Sequence, residues 1–239
     1  MNAHKPNQQY YDEFAPNYER ERHDGYHALI DRLETAIALR YARGGRVLEA
    51  GCGTGMILKE IRPHVSEAIG IDISPGMLEV ARRRGLTVAH ASITQLPFPD
   101  AHFDLAYSFK VLAHVERIGA ALGELARVVK PGGHVVAEFY NPWSLRYLVK
   151  RLKRPTKISD DSHDETVFTR YDSLNDVRQV LPASLEIVSV RGVRVLTPVS
   201  YVHKLPVVGP ALAWLETKAS GAPLLRRLGG FMVVIAQKR

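Results

Sequence analysis

At 239 residues, 46% hydrophobic and 24% charged, the chain has enough apolar material for one well-filled domain plus a modest cap, and its composition gives no sign of general disorder. Its apolar runs stay far below the ~18 residues of a membrane span and its opening, MNAHKPNQQYYDEF, is too polar for a signal peptide, so a cytoplasmic protein is expected. A single cysteine, Cys52, excludes an intramolecular disulfide and a cysteine-based zinc site, while a net charge of +7 makes an anionic partner worth weighing.

Two helices are expected first. NQQYYDEFAPNYERER (7–22) carries Tyr10, Tyr11, Phe14 and Tyr18, and GYHALIDRLETAIALRY (25–41) sets Tyr26, Leu29, Ile30, Leu33, Ala36 and Ile37 on one face as the firmer core helix. His23 and His27 stand four apart, but Gly25 weakens the helix between them and no third ligand is evident, so no metal site is expected. The stretch VLEAGCGTG (47–55) then reads as a buried strand running into a glycine loop and a helix, MILKEIRPHV. Gly51, Gly53 and Gly55 allow tight turning and close ligand approach, and the helix start offers N–H groups to a negatively charged tail. AIGID ends on Asp72, placed to accept from both hydroxyls of a ribose.

From Arg46 strand and helix alternate: strands at 46–50, 67–72, 86–91, 104–108 and 133–140, helices at 55–62, 75–84 and 116–129. Such alternation with short connections implies a parallel sheet covered on both faces. Ser74 is expected to cap the helix begun by Pro75, and Pro131-Gly132-Gly133 to stop the helix before it. WSLRYLVKRLKRPTK (143–157) reads as an amphipathic basic helix, either a surface helix with Leu145, Leu148, Val149 and Leu152 on the core or a contact for a membrane or acidic ligand. KISDDSHDETVF (157–168) reads as a mobile loop, YDSLNDVRQVL as a short helix, and 185–196 and 229–238 as strands. The mainly helical stretch between those strands is far too long for a hairpin turn and suggests a substrate cover.

The spacing after Glu49 is G-x-G-x-G, not the G-x-G-x-x-G of dinucleotide enzymes. In this the sequence closely resembles the class I S-adenosylmethionine-dependent methyltransferases of the small-molecule type, whose first motif is E/D-x-G-x-G-x-G. FDLAYSFKVLAHV (103–115) looks like their fourth strand and its turn, and LARVVKPGGHVVAEF (125–139) like their fifth strand and the helix before it. The resemblance covers residues 10–140 firmly. It implies a Rossmann-like, mostly parallel seven-stranded sheet with helices on both faces and an antiparallel last strand. It also implies a single domain over 1–239: a helical lid (1–43), a cofactor core (44–140), a helical and loop segment (141–183), and two last strands (184–239) with a cap at about 197–228.

Carried over position by position, the resemblance assigns the methionine part of S-adenosylmethionine to Glu49, Gly51, Gly53 and Gly55 and the ribose to Asp72. Cys52, Thr54, Ile73, Met77, Ser108 and Phe109 join them as cofactor contacts. Cys52 is read as a small loop residue, not a nucleophile. Adenine falls to Ser92 and Ile93, with a departure: relatives having L-P-F carry Asp six residues before the Phe, and this chain has Ser92 in ASITQLPF. A neutral hydroxyl accepts more weakly than a carboxylate.

The Y-Y-D-x-F-A-x-x-Y pattern resembles a segment that folds over the cofactor, so Tyr10 and Tyr18 either close on its methionine end or pack against the second helix. His114, after the fourth strand, is the candidate base, with pocket lining or packing as the alternative; Tyr140, Trp143, Tyr201 and His203 are the candidate acceptor contacts. The expected reaction is methyl transfer to oxygen or nitrogen of a small, partly apolar acceptor, leaving S-adenosylhomocysteine. A lipid or isoprenoid-quinone acceptor at a membrane reached through 143–157 is the variant. Nucleic acid is disfavoured, because AYSF stands where base-amino methylating enzymes carry an Asn/Asp-Pro-Pro-aromatic motif and Asn141-Pro142-Trp143 follows the wrong strand. A dehydrogenase would need a second mononucleotide half.

Overall fold

The computed structural model describes residues 7–19, 25–144, 147–148, 157–159, 162–163, 168–197, 203 and 208–239. β1 (Arg46–Ala50), β2 (Glu67–Asp72), β3 (Thr87–His90), β4 (Phe103–Ser108) and β5 (Val129–Tyr140) run parallel. With β8 (Leu185–Val193) and β9 (Phe231–Lys238) they form one seven-stranded sheet in the order β3-β2-β1-β4-β5-β9-β8. β9 is antiparallel to both neighbours, as expected for the closing pair. Strand order reverses between β1 and β4, where a crevice opens beyond their carboxyl ends.

Alternate residues of each strand feed two apolar layers. Val47, Leu105, Tyr107, Val136 and Val233 face α2 (Gly25–Ala42) and α3 (Met56–Ile61). Leu48, Ala106, Val135, Ala137 and Val234 face α5 (Ile118–Val128) and α6 (Leu174–Val180). Tyr107, Phe103 and Phe139 are the largest fully buried side chains, each contributing roughly 1.5–3 kcal/mol by removal of apolar surface from water. α4 (Pro75–Arg83) starts as expected: Ser74 Oγ accepts from Met77 N–H at 3.1 Å, with Pro75 at the first helical position.

Several expectations change in detail. α1 (Asn7–Phe14) is shorter than its aromatic pattern and passes into a 3-10 turn, Ala15–Asn17. The inward face of α2 holds Glu34 and Ala38 while Ala36 is exposed, so the helix is rotated relative to the purely apolar stripe. β5 begins at Val129, earlier than the expected 133: a bulge shifts its pairing with β4 from Phe103↔Val129 to Leu105↔His134, and Pro131 and Gly132, which were expected to precede the strand, lie inside it. The acid-rich segment expected as a loop contains two short antiparallel strands, β6 (Lys157–Ser159) and β7 (Ser162–His163). Of the basic helix, Leu145, Arg146 and residues 149–156 lie outside the described residues, and Lys157 stands in β6. The long insertion does hold a helix, α7 (Val208–Gly221), followed by a 3-10 turn, Leu225–Leu228.

Candidate functional site

The loop after β1 is bent by left-handed backbone at all three glycines, with φ of 84° at Gly51, 53° at Gly53 and 80° at Gly55. They are not equivalent. A Cβ on Gly51 would stand 2.2 Å from Val111, and one on Gly55 2.3 Å from Leu86, whereas a Cβ on Gly53 would meet nothing within 4 Å. Two glycines therefore serve packing, and the third faces the open crevice.

Asp72, buried at the tip of β2, clamps this loop. Its carboxylate accepts from Gly53 N–H at 2.8 Å and from Ser74 N–H at 2.9 Å, while Gly51 and Cys52 N–H bond Ile71 O at 2.7 and 2.8 Å. Burial lifts the Asp72 carboxyl above its usual range, and the N–H donors pull it part of the way back. Thr54 Oγ1 is buried and has no hydrogen-bond partner among the described residues. Arg84 fixes the loop from outside, donating to Thr54 O at 2.6 Å and to Glu19 at 2.5 Å.

The crevice is walled by Tyr18, Glu49, Gly53, Thr54, Phe109 and Lys110. Behind it sits a carboxyl cluster absent from the sequence expectations. Lys110 Nζ pairs with Asp31 at 2.8 Å and with the 0%-exposed Glu34 at 2.7 Å, and its N–H donates to the buried Glu138 at 3.0 Å. Tyr107 OH donates to Glu49 at 3.3 Å. Burial drives the Glu49 and Glu138 carboxyls well above the usual range; neighbouring Glu34 raises them further and Lys110 opposes. One lysine among four carboxyl groups leaves a surplus of acid that suits a cationic ligand.

Because Glu138 keeps its proton more tightly folded than unfolded, native chains bind more protons. Its contribution is then most favourable below about pH 4.3 and is lost as pH rises toward the folded value. Glu138→Gln keeps the acceptor for Lys110 N–H and removes the ionisation. Its melting temperature at pH 7 should equal or exceed wild type by about 3 °C per kcal/mol gained, with a flatter dependence between mild acid and neutrality. A fall of several degrees at pH 7 would contradict this account.

Beyond the carboxyl ends of β4 and β5 the rings of Tyr11 and Tyr140 flank His114 at 6.2 and 5.7 Å, and Tyr140 also touches Tyr171 at 5.8 Å and Phe231 at 5.3 Å. His114 Nδ1 lies 2.9 Å from Phe168 O. A carbonyl only accepts, so Nδ1 carries the proton and the neutral ring's basic atom is Nε2. Tyr11, between this cluster and Asp72, has its phenol pushed well above the usual range by burial first, then by Tyr140, Tyr18, Tyr10 and Asp72. Asp12 holds α1 here: its Oδ1 accepts from Ser74 Oγ at 2.5 Å and Gly76 N–H at 3.0 Å, and Asn7 donates to His114 O at 2.5 Å.

Other expected site residues are dispersed. Tyr10 contacts Tyr11 and Phe14. Ser108 is fully buried, donating to Ala50 O at 2.7 Å as a tie between strands. Ser92 Oγ is engaged by Thr94 at 2.9 Å, and Ile93 and Met77 are buried while Ile73 is exposed. Cys52 packs against Gly70, its thiol pushed well up by burial. Trp143 is exposed and joins no ring cluster among the described residues; His203 packs on Tyr26 at 5.7 Å and bonds Thr197 Oγ1 at 3.0 Å. Tyr201 and His23 lie outside the described residues, and His27 meets Tyr26 edge-on.

Residues 48–137 match the family described as a methyltransferase domain. Over that stretch the chain is similar to the class I S-adenosylmethionine-dependent methyltransferases. Its fold is shared along almost the whole length with a S-adenosylmethionine-dependent methyltransferase of Thermotoga maritima, described as a possible histamine N-methyltransferase. That likeness has a TM-score of 0.68 at 23% identity, over 97% of this chain and 99% of the other. In sequence the chain is 38% identical over 109 residues to the malonyl-[acyl-carrier protein] O-methyltransferase of Serratia marcescens, which is 44% of this chain and 42% of that protein. It is 34% identical over 146 residues to the demethylmenaquinone methyltransferase of Mycobacterium sp. strain KMS, covering 57% of this chain and 63% of that one. The chain thus spans less than two thirds of the length of either relative. S-adenosylmethionine is the cofactor of this methyltransferase family, and the crevice passes the tests of fit: an open cradle at Gly53, a partnerless Thr54 hydroxyl and a surplus of buried carboxyl groups.

Proposed function

We propose that the protein methylates an oxygen or nitrogen of a small, partly apolar acceptor. The observation that carries this reading is the ring cluster of Tyr11, His114 and Tyr140 beyond the ends of β4 and β5, with Tyr11 near enough to Asp72 to feel its charge. In this reading Asp72 holds the ribose, Gly53 and Thr54 the methionine carboxylate, and Glu49 with its acidic neighbours the ammonium. Ile73, Met77 and Ile93 line the adenine side. When bound, S-adenosylmethionine supplies an electrophilic sulfonium methyl, so the protein's own task is orientation, exclusion of water and removal of one proton. Tyr11 and Tyr140 grip a planar or apolar acceptor by its faces. His114 Nε2 takes the proton that the acceptor must lose. Residues 1–43 act as a lid, with Tyr18 on the methionine end, and the 197–228 insertion covers the acceptor.

A second reading, favoured by the similarity to demethylmenaquinone methyltransferases, gives the acceptor as an isoprenoid quinone or lipid met at a membrane surface through 143–157. Among the described residues no helix is long and apolar enough to cross a membrane, so such contact would be peripheral.

Calorimetry should register binding of both S-adenosylmethionine and S-adenosylhomocysteine; no heat from a folded sample would overturn the cofactor assignment. Release of S-adenosylhomocysteine with a phenol, an amine or a naphthoquinol then sorts the acceptors. With an accepted phenol, His114→Asn should lower kcat about a hundredfold and abolish the acid limb of the pH profile while cofactor affinity holds. An unchanged profile would leave His114 a lining residue.

A further inference from the structure

Helix α7 is built inside out. Its one acid, Glu216, is fully buried and accepts from Val195 N–H, from Leu196 N–H at 3.0 Å and from Thr197 Oγ1 at 3.1 Å, and Ser220 is buried on the same side. The opposite face, at helical spacing, presents Ala211, Trp214, Leu215 and Lys218 to solvent, with Trp214 62% exposed. An isolated surface helix places these types the other way round. Beyond Gly221 the chain reaches Leu224, 79% exposed, and then Leu225 and Leu228, both exposed. Asn141 ties a second apolar tip to this corner: its Nδ2 donates to Arg227 O at 2.8 Å and Gly229 O at 2.9 Å, and its Oδ1 accepts from Trp143 N–H at 3.0 Å. Trp143 is 71% exposed.

The charges beside these side chains have one sign. From Thr197 to Leu228 the only acid is the buried Glu216, against Lys204, Lys218, Arg226 and Arg227; from Asn141 to Ser159 there is none. Lys218 Nζ lies 5.9 Å over the Trp214 ring, its stem beside the apolar face and its charge at the rim. Exposed tryptophan and leucine flanked by cations, with no exposed acid between, is the chemistry of a surface that settles into the headgroup layer of an anionic bilayer.

We propose that the outer face of α7, the Leu224–Leu228 corner and Trp143 together form a docking surface for an anionic lipid bilayer. It shares only Trp143 with the 143–157 segment of the second reading above, rests otherwise on α7 and the Leu224–Leu228 corner, and does not depend on methyl transfer. Trp143 and Trp214 are the chain's two tryptophans, so the protein carries its own probe. With vesicles of equal parts phosphatidylglycerol and phosphatidylcholine the emission should shift to the blue and become shielded from iodide; with pure phosphatidylcholine it should stay put. In flotation, Lys218→Gln and Arg227→Gln should each weaken partition about fivefold. The Trp214→Ala/Leu224→Ala pair should abolish it while calorimetric cofactor binding confirms that the variant is folded. No shift with anionic vesicles, or equal partition onto neutral ones, overturns the proposal. So does a wild-type dimer that these variants convert to monomer without any vesicle binding, which would give the face to a second copy of the chain.

Discussion

Asp72→Ala should weaken binding of S-adenosylmethionine about a hundredfold or more, the largest single loss expected in the crevice. A hydrogen bond to a charged group contributes about 1.5–3 kcal/mol, and a ribose diol makes two. The clamp on the loop is lost as well, since Gly53 N–H and Ser74 N–H both donate to this carboxylate. Asp72→Asn separates the two effects: the amide keeps the shape but turns its NH2 toward one of two N–H donors, so it should bind more weakly than wild type although its volume is unchanged. Calorimetry reads both. A folded Asp72→Ala chain binding within about threefold of wild type would remove Asp72 from the ribose site.

The glycine loop yields the second large effect, as a contrast. Gly51→Ala combines left-handed strain of about 1–2 kcal/mol with overpacking of about 1–3 kcal/mol against Val111, a heavy loss for a domain stabilised by only about 5–15 kcal/mol. It should melt far lower or fail to accumulate, and Gly55→Ala, driven into Leu86, should do likewise. Gly53→Ala meets no neighbour and bears the strain alone, so it should fold with a modest drop in melting temperature yet lose cofactor affinity tenfold or more, because its methyl occupies the ligand's side of the loop. If all three variants lose stability alike and Gly53→Ala binds normally, the loop is a packing device only.

The parallel core was legible because its signals are local. Strand followed by glycine loop, the Ser74-Pro75 helix start and an acid at the tip of β2 are each readable within a few residues. What escaped lies in contacts between distant segments. Asp12 meets Ser74 and Gly76 across more than sixty residues, so the aromatic pattern around it drew attention to Tyr10 when Tyr11 is the ring turned toward His114. Lys110, Glu34 and Glu138 come from three elements, and only a charge amid VVAEF and another amid LETAIA hinted at them. Ser108 was a plausible ligand contact by position at a strand end, yet its hydroxyl faces across the sheet to Ala50. The reversed polarity of α7 shows in no single residue either, because Glu216 looks like a solvated acid until its backbone partners are known.

The N-terminal segment is fastened on opposite banks of the crevice. Asp12 grips the start of α4, Glu19 meets Arg84 beyond its end, and Asn7 holds the turn carrying His114. In the proposed reading, where this segment is a lid, exit of a spent nucleoside past Tyr18 would require at least one of these moorings to slip. Once bond making is fast, the tempo of the cycle passes to this unbuckling, and substitutions at Asp12 or Asn7, remote from any reacting atom, become the accelerator or brake of turnover.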